Sequence, residues 1–329
     1  MQKQISFFLR TGLLGITCFC CICCSRKDSA EYKIARFDTD LYQYLTKNKP
    51  DTVLNKHIVF LNILGNGILD IGKTDSAGFY SRLKNYFSDS TLMRIYKDEQ
   101  TTFADLSEIN RELSKGLQVF LKQFPQIKPP KVYMHVSGFS QNVVVTDDIL
   151  SLSADKYLGA DYHLYQDYFY DYQRQLMSRD RVVPDYLLGF MMANLPFEGA
   201  EDVLLDRMLY EGKLRYLLSL LLPKRQEWEW LGYNKEQYEW CIRRQSQIWN
   251  TIQENHLLLT PNYLTTNQFL KEAPHTAFLP VNSPGKVGAW FGYRIISAFM
   301  KQNPQTSLMK LMENVNYIEL LKESKYKPE

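Results

Sequence analysis

The sequence predicts an α+β fold that is predominantly helical and built as a single domain around a small antiparallel or mixed β-sheet. Apolar residues recur at helical spacing over long segments on both sides of the middle of the chain. Between those segments, three short runs rich in β-branched residues follow one another closely, at residues 132–136, 142–146 and 149–154. An apolar content of 45% gives the chain enough material for one large core.

The first residues have the pattern of a secretory signal. Lys3 and Arg10 provide positive charge, and the chain from Thr11 to Cys23 is apolar. Cys24 is followed by Ser-Arg-Lys-Asp, and this pattern resembles a bacterial lipoprotein signal in which Cys24 is acylated. Cys23 is the alternative acylation site, and an uncleaved membrane anchor is the alternative to a cleaved signal.

This pattern divides the chain into a signal peptide (1–23), a lipidated tether (24–32) and an α+β domain (33–329). The acyl chains would attach the protein to a membrane of the cell envelope. Because no acidic run follows Cys24, we expect the periplasmic face of the outer membrane. Apart from the anchor, Cys241 is the one cysteine of the mature chain, so stability must come from the core rather than from disulfides.

Charge and motifs narrow the possible functions. The chain has 39 basic and 36 acidic residues and no dense basic cluster, which argues against nucleic-acid binding. None of its five histidines lies in the order HExxH, and there is no Gly-x-Ser-x-Gly, P-loop or Gly-x-Gly-x-x-Gly sequence. We therefore predict no metal, no cofactor and no catalytic residue, and we expect envelope proteins or a peptide as partners.

The first half of the chain carries two helical patterns and the strands. Apolar spacing predicts helices over Ser76–Phe87 and Phe103–Phe124, and prolines follow the second one. Residues 137–141 contain Ser-Gly and are predicted to form a hairpin loop between the first two strands.

The second half is mainly helical. A helix is predicted over Asp202–Leu222, with Asp202 as its N-cap and Pro223 as its stop. Asn234 and Gln237 form the sequence of a capping box for a helix through Asn255. Residues 260–284 contain four prolines and are a candidate rim of a cleft, and a last large helix is predicted over 286–302.

Two acids and one arginine stand where apolar residues are expected. Glu211 lies at the edge of the apolar stripe of its helix, and Asp155 follows the third strand. Arg294 falls within an apolar stripe, and a buried guanidinium needs carboxylate or carbonyl partners. We hypothesise a buried polar cluster of Arg294 with Glu211, Asp155 or both. The alternative is a local pair of Glu211 with Arg215 at i,i+4.

Several stretches together resemble the gliding-motility GldB family of lipoproteins from the Bacteroidetes. They are Ile34–Asp38, Ala154–Asp161, Met208–Lys213, Gly285–Ile295 and Leu321–Pro328. The resemblance implies a membrane-attached envelope protein associated with the gliding machinery. The family also occurs in bacteria that do not glide, where its role is open.

The order of strands, a Glu-bearing helix and a Gly-rich aromatic helix is also similar to that of zincin peptidases. In that family two histidines flank the catalytic Glu and bind zinc. Aligned on Glu211, the ligand positions here are Tyr210 and Leu214, so the metal motif is missing. The likeness therefore implies a zincin-like core without zinc chemistry. Its cleft would contain Glu211, Tyr210, Lys213 and Arg294, a set better suited to binding or scaffolding.

Two other functions are kept as alternatives. The first is a peptidase-like hydrolase that uses Glu211 as a general base. The second is a glycan-binding envelope protein, because six aromatic residues crowd the segment from Tyr162 to Tyr172.

Overall fold

Three short strands lie at the centre of the computed structural model, which describes residues 31–47 and 49–328. Strand β1 spans Lys131–His135, β2 spans Val143–Val145 and β3 spans Ile149–Ser153. β3 lies between the other two, parallel to β1 and antiparallel to β2. This mixed sheet, surrounded by helices, confirms the predicted α+β class.

The predicted hairpin between the first two strands is wrong. The tight turn joins β2 to β3, where the Thr146 N–H donates to the Ile149 carbonyl at 2.9 Å. Every residue of β3 is buried, as a strand covered on both faces and paired on both edges must be. The segment from 136 to 142 therefore crosses the end of β3 to reach its far side.

Helices make up most of the remaining chain. In chain order they are α1 Phe37–Thr46, α2 Ile58–Ile63, α3 Phe79–Tyr86, α4 Ser90–Thr102, α5 Ser107–Gln123, α6 Asp171–Arg174, α7 Val182–Asn194, α8 Leu204–Leu221, α9 Glu227–Leu231, α10 Lys235–Arg243, α11 Gln245–Glu254, α12 Tyr263–Leu270, α13 Val287–Gln302, α14 Leu308–Glu313 and α15 Tyr317–Ser324. Within the described residues, no helix has the length and apolar character needed to span a bilayer. The predicted signal peptide and Cys24 lie outside the described residues.

Three predicted helix starts come too early, and the first is that of α3, which begins at Phe79 rather than at Ser76. α5 begins at Ser107, where the Asp105 carboxylate accepts from the Ser107 N–H at 2.8 Å and marks the entry. Asp202 does not cap α8, because the helix begins at Leu204 and Val203 occupies the N-cap position. The Asp202 carbonyl accepts from the Asn262 N–H at 2.7 Å. The end of α8 just before Pro223 is confirmed.

The capping box at Asn234 is confirmed, but the helix that follows it is shorter than predicted. The Asn234 side chain accepts from the Gln237 N–H at 2.8 Å. The chain then leaves helical geometry at Arg244, which separates α10 from α11. Apolar spacing continues through the break, so the sequence pattern does not show it.

The sheet separates two apolar clusters within the compact unit formed by residues 31–329. Val132 and Met134 of β1 contribute to the larger cluster, which includes α5, α7, α8 and α13. Tyr133, between them, contributes to the smaller cluster with α1, α2 and α3. This alternation follows from the two-residue period of a strand and shows that both faces of the sheet are covered.

α8 and α13 cross with their backbones in contact. A Cβ atom added to Gly212 would lie 2.2 Å from the carbonyl carbon of Gly292. A Cβ added to Gly292 would lie 1.8 Å from the Met208 carbonyl oxygen. Only glycine fits at both positions, so the crossing fixes α8, and the side chains of its next turn, against the core.

Candidate ligand-binding cleft

Glu211 is paired with Arg215, one turn further along α8. Arg215 Nη2 lies 3.3 Å from Glu211 Oε2, and the two side chains are 4% and 13% exposed for Arg215 and Glu211, respectively. The local alternative is thus confirmed. Because both side chains are largely buried, this contact differs from the solvated helix pair that i,i+4 spacing usually gives.

The predicted cluster around Arg294 is not formed. Arg294 is half-buried and lies near Tyr238 and Tyr293, the hydroxyls of which donate to the two carboxylate oxygens of Glu227. Burial raises the pKa of Tyr293 to about 12, and the charge of Arg294 partly opposes this shift. The apolar stripe that was predicted to contain Arg294 is buried in the larger apolar cluster, whereas Arg294 itself is only half-buried.

Asp155 is fully buried at the end of β3 and has a structural partner set of its own. Its carboxylate accepts from the Ser153 hydroxyl at 2.5 Å and from the Phe139 N–H at 2.7 Å. Burial raises the pKa of this carboxyl group. Asp155 therefore holds the crossing segment between β1 and β2 in place, and it does not meet Arg294.

Tyr210 and Lys213 lie on another side of α8. The Tyr210 hydroxyl donates to the Leu195 carbonyl at 2.9 Å. Lys213 Nζ donates to the Asn314 carbonyl at 2.5 Å, just after α14, and lies 4.8 Å from the centre of the Tyr317 ring. Burial lowers the pKa of Lys213 to about 8. The five residues predicted to form one site therefore do not form a single site, because they lie in different environments.

A different set of side chains lines a cleft beside Arg215. Its volume is about 320 Å³, within the range of sites for small ligands. One wall comes from the sheet and the turn after it, through Asn142, Val143 and Lys156. The other walls come from α7, α8 and the residue before α13. Seven apolar side chains belong to the lining: Val143, Phe169, Leu176, Met177, Leu188, Met192 and Leu231.

Four cations line the cleft, and they differ in their partners. Arg181 Nη2 contacts Asp185 Oδ1 at 2.5 Å, and Lys286 contacts Glu272. Arg215 has Glu211, as described above. Lys156 has its Nζ 5.3 Å from the centre of the Phe169 ring, and burial lowers its pKa while the nearby Asp155 opposes that shift.

Arg215 keeps unused hydrogen-bonding capacity. Its Nε and Nη1 are buried and have no hydrogen-bond partner in the part of the chain that the structure describes. Buried N–H donors are nearly always paired in folded proteins, by protein, water or ligand. The side chain lines the cleft, but these two nitrogens have almost no exposed surface and do not open onto it.

Part of this cleft was predictable from the sequence. Arg215 was considered there only as the local partner of Glu211. Lys156 and Lys286 were named only within the charged segment after the third strand and the Gly285–Ile295 stretch, and Arg181 was missed. The i,i+4 spacing of Arg181 and Asp185 was a usable signal, whereas the approach of Lys156 to α8 depends on the sheet crossover.

His135 and Cys241 lie in structural surroundings. His135 is fully buried, with Nδ1 2.7 Å from the Ser151 hydroxyl, and burial lowers its pKa to about 3. Cys241 is buried, and burial raises the pKa of its thiol. Among residues 31–47 and 49–328, no group of three His, Cys, Asp or Glu side chains is placed to hold a metal ion.

A family model described as gliding motility protein GldB matches residues 25–328. The chain belongs to the GldB family. This confirms the resemblance stated above and supports a gliding-motility protein of the cell envelope. The comparisons with curated proteins and with solved structures found no match, and the likeness to zincins stays a prediction.

Three of the stretches that carry the GldB resemblance contribute to the helix crossing and the cleft. Met208–Lys213 and Gly285–Ile295 contain the two glycines of the α8–α13 crossing. Ala154–Asp161 contains Asp155, which holds the sheet crossover, and Lys156, which lines the cleft. The same stretches therefore build the crossing of the two helices and two walls of the cleft.

Proposed function

We propose that this GldB-family protein is a lipid-anchored envelope protein that acts by binding a partner, without catalysis. The pairing of Glu211 with Arg215 is the observation that carries the proposal. A general base must be free to accept a proton from water or substrate, and this carboxylate is held in an ion pair with a guanidinium group of its own helix. The flanking positions are also occupied structurally, since Tyr210 donates to Leu195 and Leu214 is fully buried.

A cleavage assay tests the absence of catalysis. The mature protein is incubated with casein and with a mixed peptide pool, with and without added Zn²⁺, and products are measured by mass spectrometry. We expect no turnover by the wild type, by Glu211→Gln or by the exposed control Glu236→Gln. Turnover by the wild type that is lost in Glu211→Gln alone would establish the hydrolase alternative.

Membrane attachment is tested separately. We expect Cys24→Ala to move the protein from the outer-membrane fraction to the soluble fraction, while Cys23→Ala stays membrane-bound. Protease treatment of intact cells then distinguishes the two faces, because a protein on the periplasmic face is protected. Membrane retention of Cys24→Ala together with release of Cys23→Ala would reassign the acylated residue.

Glycan binding is the second candidate, and one feature favours it. Tyr170 is 72% exposed and stacks on Tyr172 with ring centres 5.8 Å apart, which forms a flat aromatic surface. A pull-down with purified peptidoglycan tests it. Binding that is lost in Tyr170→Ala but kept in Tyr263→Ala, another exposed tyrosine, would support this function. Equal binding by both variants would end it.

A further inference from the structure

The described chain begins beside α5. The Tyr32 N–H donates to the Ser114 hydroxyl at 3.0 Å, and the Ile34 N–H donates to the Asn110 side-chain oxygen at 2.9 Å. Asn110 lies one helical turn before Ser114, so the chain from Tyr32 to Ile34 runs antiparallel to α5. The start of the described chain therefore points towards the carboxyl-terminal half of α5.

The start of β1 forms the other side of this entry point. Ala35 pairs in parallel with Tyr133, and residues 31–33 line one hollow together with residues 130–133. Lys33 and Lys131 both line this hollow, and both are exposed. The point at which the tether joins the domain is therefore bounded by α5 and by the start of β1.

Lysines dominate the surface around this entry point. The chain from Leu113 to Thr146 contains four lysines and no Asp or Glu. We call these four residues the lysine surface: Lys115 and Lys122 on α5, Lys128 in the connection to β1, and Lys131 at the start of β1. All four are exposed, and none forms an ion pair with a residue that the structure describes. Lys115 and Lys122 are seven residues apart and share one stripe of α5 with Val119, which is 41% exposed.

Nearby carboxylates do not balance the lysine surface. Three ion pairs at its edge cancel, namely Lys33 with Glu31, Arg111 with Glu108 and Arg225 with Glu112. The adjoining groove between α5 and the end of α8 is also balanced, since it adds Arg179 and Lys224 against Asp180 and Glu229. The remaining acids are Asp147 and Asp148, and the Asp148 carbonyl accepts from the Lys131 N–H at 2.8 Å. Four lysines against these two acids leave an excess of positive charge.

The proposed lipid anchor is close to this surface in the chain. Seven peptide bonds separate Cys24 from Glu31, and a chain of that length spans at most about 25 Å when fully extended. The tether sequence contains Arg26, Lys27 and Asp28, which adds one more positive charge. The surface around Glu31 is therefore the part of the domain that the anchor keeps near the membrane.

We propose that the lysine surface docks on anionic phospholipid headgroups of the membrane that carries the anchor. This inference rests on the proposed lipid anchor and adds a second contact with the same membrane. A lysine near an anionic bilayer strengthens binding about fivefold, and an exposed apolar side chain beside it suits the boundary between headgroups and acyl chains. The acyl chains supply the attachment, and the lysines determine which side of the domain faces the lipid.

Vesicle binding tests the lysine surface without the anchor. The mature chain is expressed with Cys24→Ala, so that no acyl chain contributes. It is sedimented with vesicles of phosphatidylcholine alone and with vesicles that contain about one third phosphatidylglycerol. We expect binding to the anionic vesicles only, and a loss of binding as salt rises, because added ions screen exposed charges. Equal binding to both kinds of vesicle, or binding to neither, overturns the proposal.

A matched pair of variants locates the contact. Replacement of the four lysines of the lysine surface by Gln should weaken binding to anionic vesicles at least about hundredfold, as four contributions of this size predict. The control changes the net charge equally by replacing four other exposed lysines with Gln: Lys301, Lys310, Lys322 and Lys327. We expect the control to bind like the wild type. Equal losses in the two variants would show that net charge alone decides binding, and the placement would be wrong.

Labelling of the acylated protein tests the orientation. The native protein is reconstituted in both kinds of vesicle, its lysines are acetylated with a reagent that does not cross the bilayer, and the labelled sites are mapped by mass spectrometry. We expect Lys115 and Lys122 to be labelled severalfold less in anionic than in neutral vesicles, while Lys301 is labelled equally in both. Equal labelling of all three lysines contradicts the docked orientation.

Two further outcomes separate this inference from the rest of the proposed function. A native protein without an acyl group at Cys24 contradicts the anchor, and vesicle binding by the Cys24→Ala chain then still decides the role of the lysine surface. If purified peptidoglycan retains the wild type but not the four-lysine variant, while anionic vesicles bind neither, the partner is the cell wall and the lipid assignment is wrong.

Discussion

Two arginine–carboxylate pairs in this protein differ in how completely they are satisfied. At the start of α1, Arg36 donates from Nε at 3.0 Å and from Nη2 at 2.6 Å to the fully buried Asp38, and from Nη1 to the Phe103 carbonyl at 2.7 Å. In the cleft, Arg215 has one ion contact at 3.3 Å and two unpaired nitrogens. The first arrangement is closed, because every donor nitrogen of Arg36 has an acceptor, and the second is open, because two donor nitrogens of Arg215 have none among the described residues.

The pair of Arg36 and Asp38 needs a full set of hydrogen bonds because its surroundings are buried. Glu99 is also fully buried beside Asp38, and burial together with the charge of Asp38 raises its pKa well above the ordinary value. Arg36 is the cation that makes a second acid tolerable there. Arg215 does not have to neutralise a fully buried acid in the cleft, because Glu211 is 13% exposed and keeps contact with water.

The largest expected effect is at the closed pair. Arg36→Met leaves Asp38 buried without its cation and should lower the free energy of unfolding by about 3–5 kcal/mol. Urea denaturation of the mature protein measures this value. The control is Arg111→Met, which removes an exposed ion pair to Glu108 and should cost less than about 1 kcal/mol. Similar losses in both variants would refute the structural role assigned to Arg36.

The helix crossing supports the cleft but not the closed pair. Gly292→Ala places a Cβ against the Met208 carbonyl oxygen and should cost about 3 kcal/mol, because backbone cannot move aside cheaply. Gly67→Ala is the matched control, since nothing lies within 4 Å of a Cβ added there. A Gly292→Ala variant as stable as Gly67→Ala would show that the helices do not touch.

His135 shows a third way to bury a polar group, which is to keep it neutral. Its pKa is about 3 in the fold against 6.5 when unfolded, so between these values only the unfolded chain takes up a proton. Stability supplied by the neutral ring is therefore lost as pH falls below 6.5. From pH 7 to pH 5, we expect the wild type to lose about 2 kcal/mol more than His135→Gln in urea titrations. Parallel pH profiles would contradict a buried neutral imidazole.

The smallest effect is expected at the open pair. Arg215→Met removes two unsatisfied donors together with one ion contact, and Glu211 can still reach solvent, so the loss should be about 1 kcal/mol. Urea denaturation beside Arg36→Met gives the comparison directly. If Arg215→Met costs as much as Arg36→Met, the difference between an open and a closed pair disappears.

Local signals predicted much of the fold. The three strands, the capping box at Asn234 and the stop before Pro223 all depend on residues a few positions apart, and all were placed correctly. The pairing of the strands was predicted wrongly. β1 and β3 are neighbours because the segment held by Asp155 crosses the end of β3 and places β2 on its far side. This pairing brings together strands that are separated in the sequence by β2, and no local sequence pattern indicates it.

The candidate site was less predictable than the fold. Burial of Glu211 and Asp155 was inferred from their apolar neighbours, and the alternative partner Arg215 follows from helix geometry. The prediction that Arg294 is their partner was wrong, because a helical wheel shows which residues share a face but not what that face contacts. Lys156 reaches the cleft only through the tertiary arrangement of sheet and α7, which spacing cannot supply.

The glycine contact between α8 and α13 also determines which parts of the cleft can adjust. Two helices locked backbone to backbone form a rigid floor that carries Arg215. The opposite side, around Lys156 and Phe169, is built from short single turns and the four-residue α6. We therefore expect the side around Lys156 and Phe169 to move when ligands of different size bind, while the guanidinium group of Arg215 keeps its position.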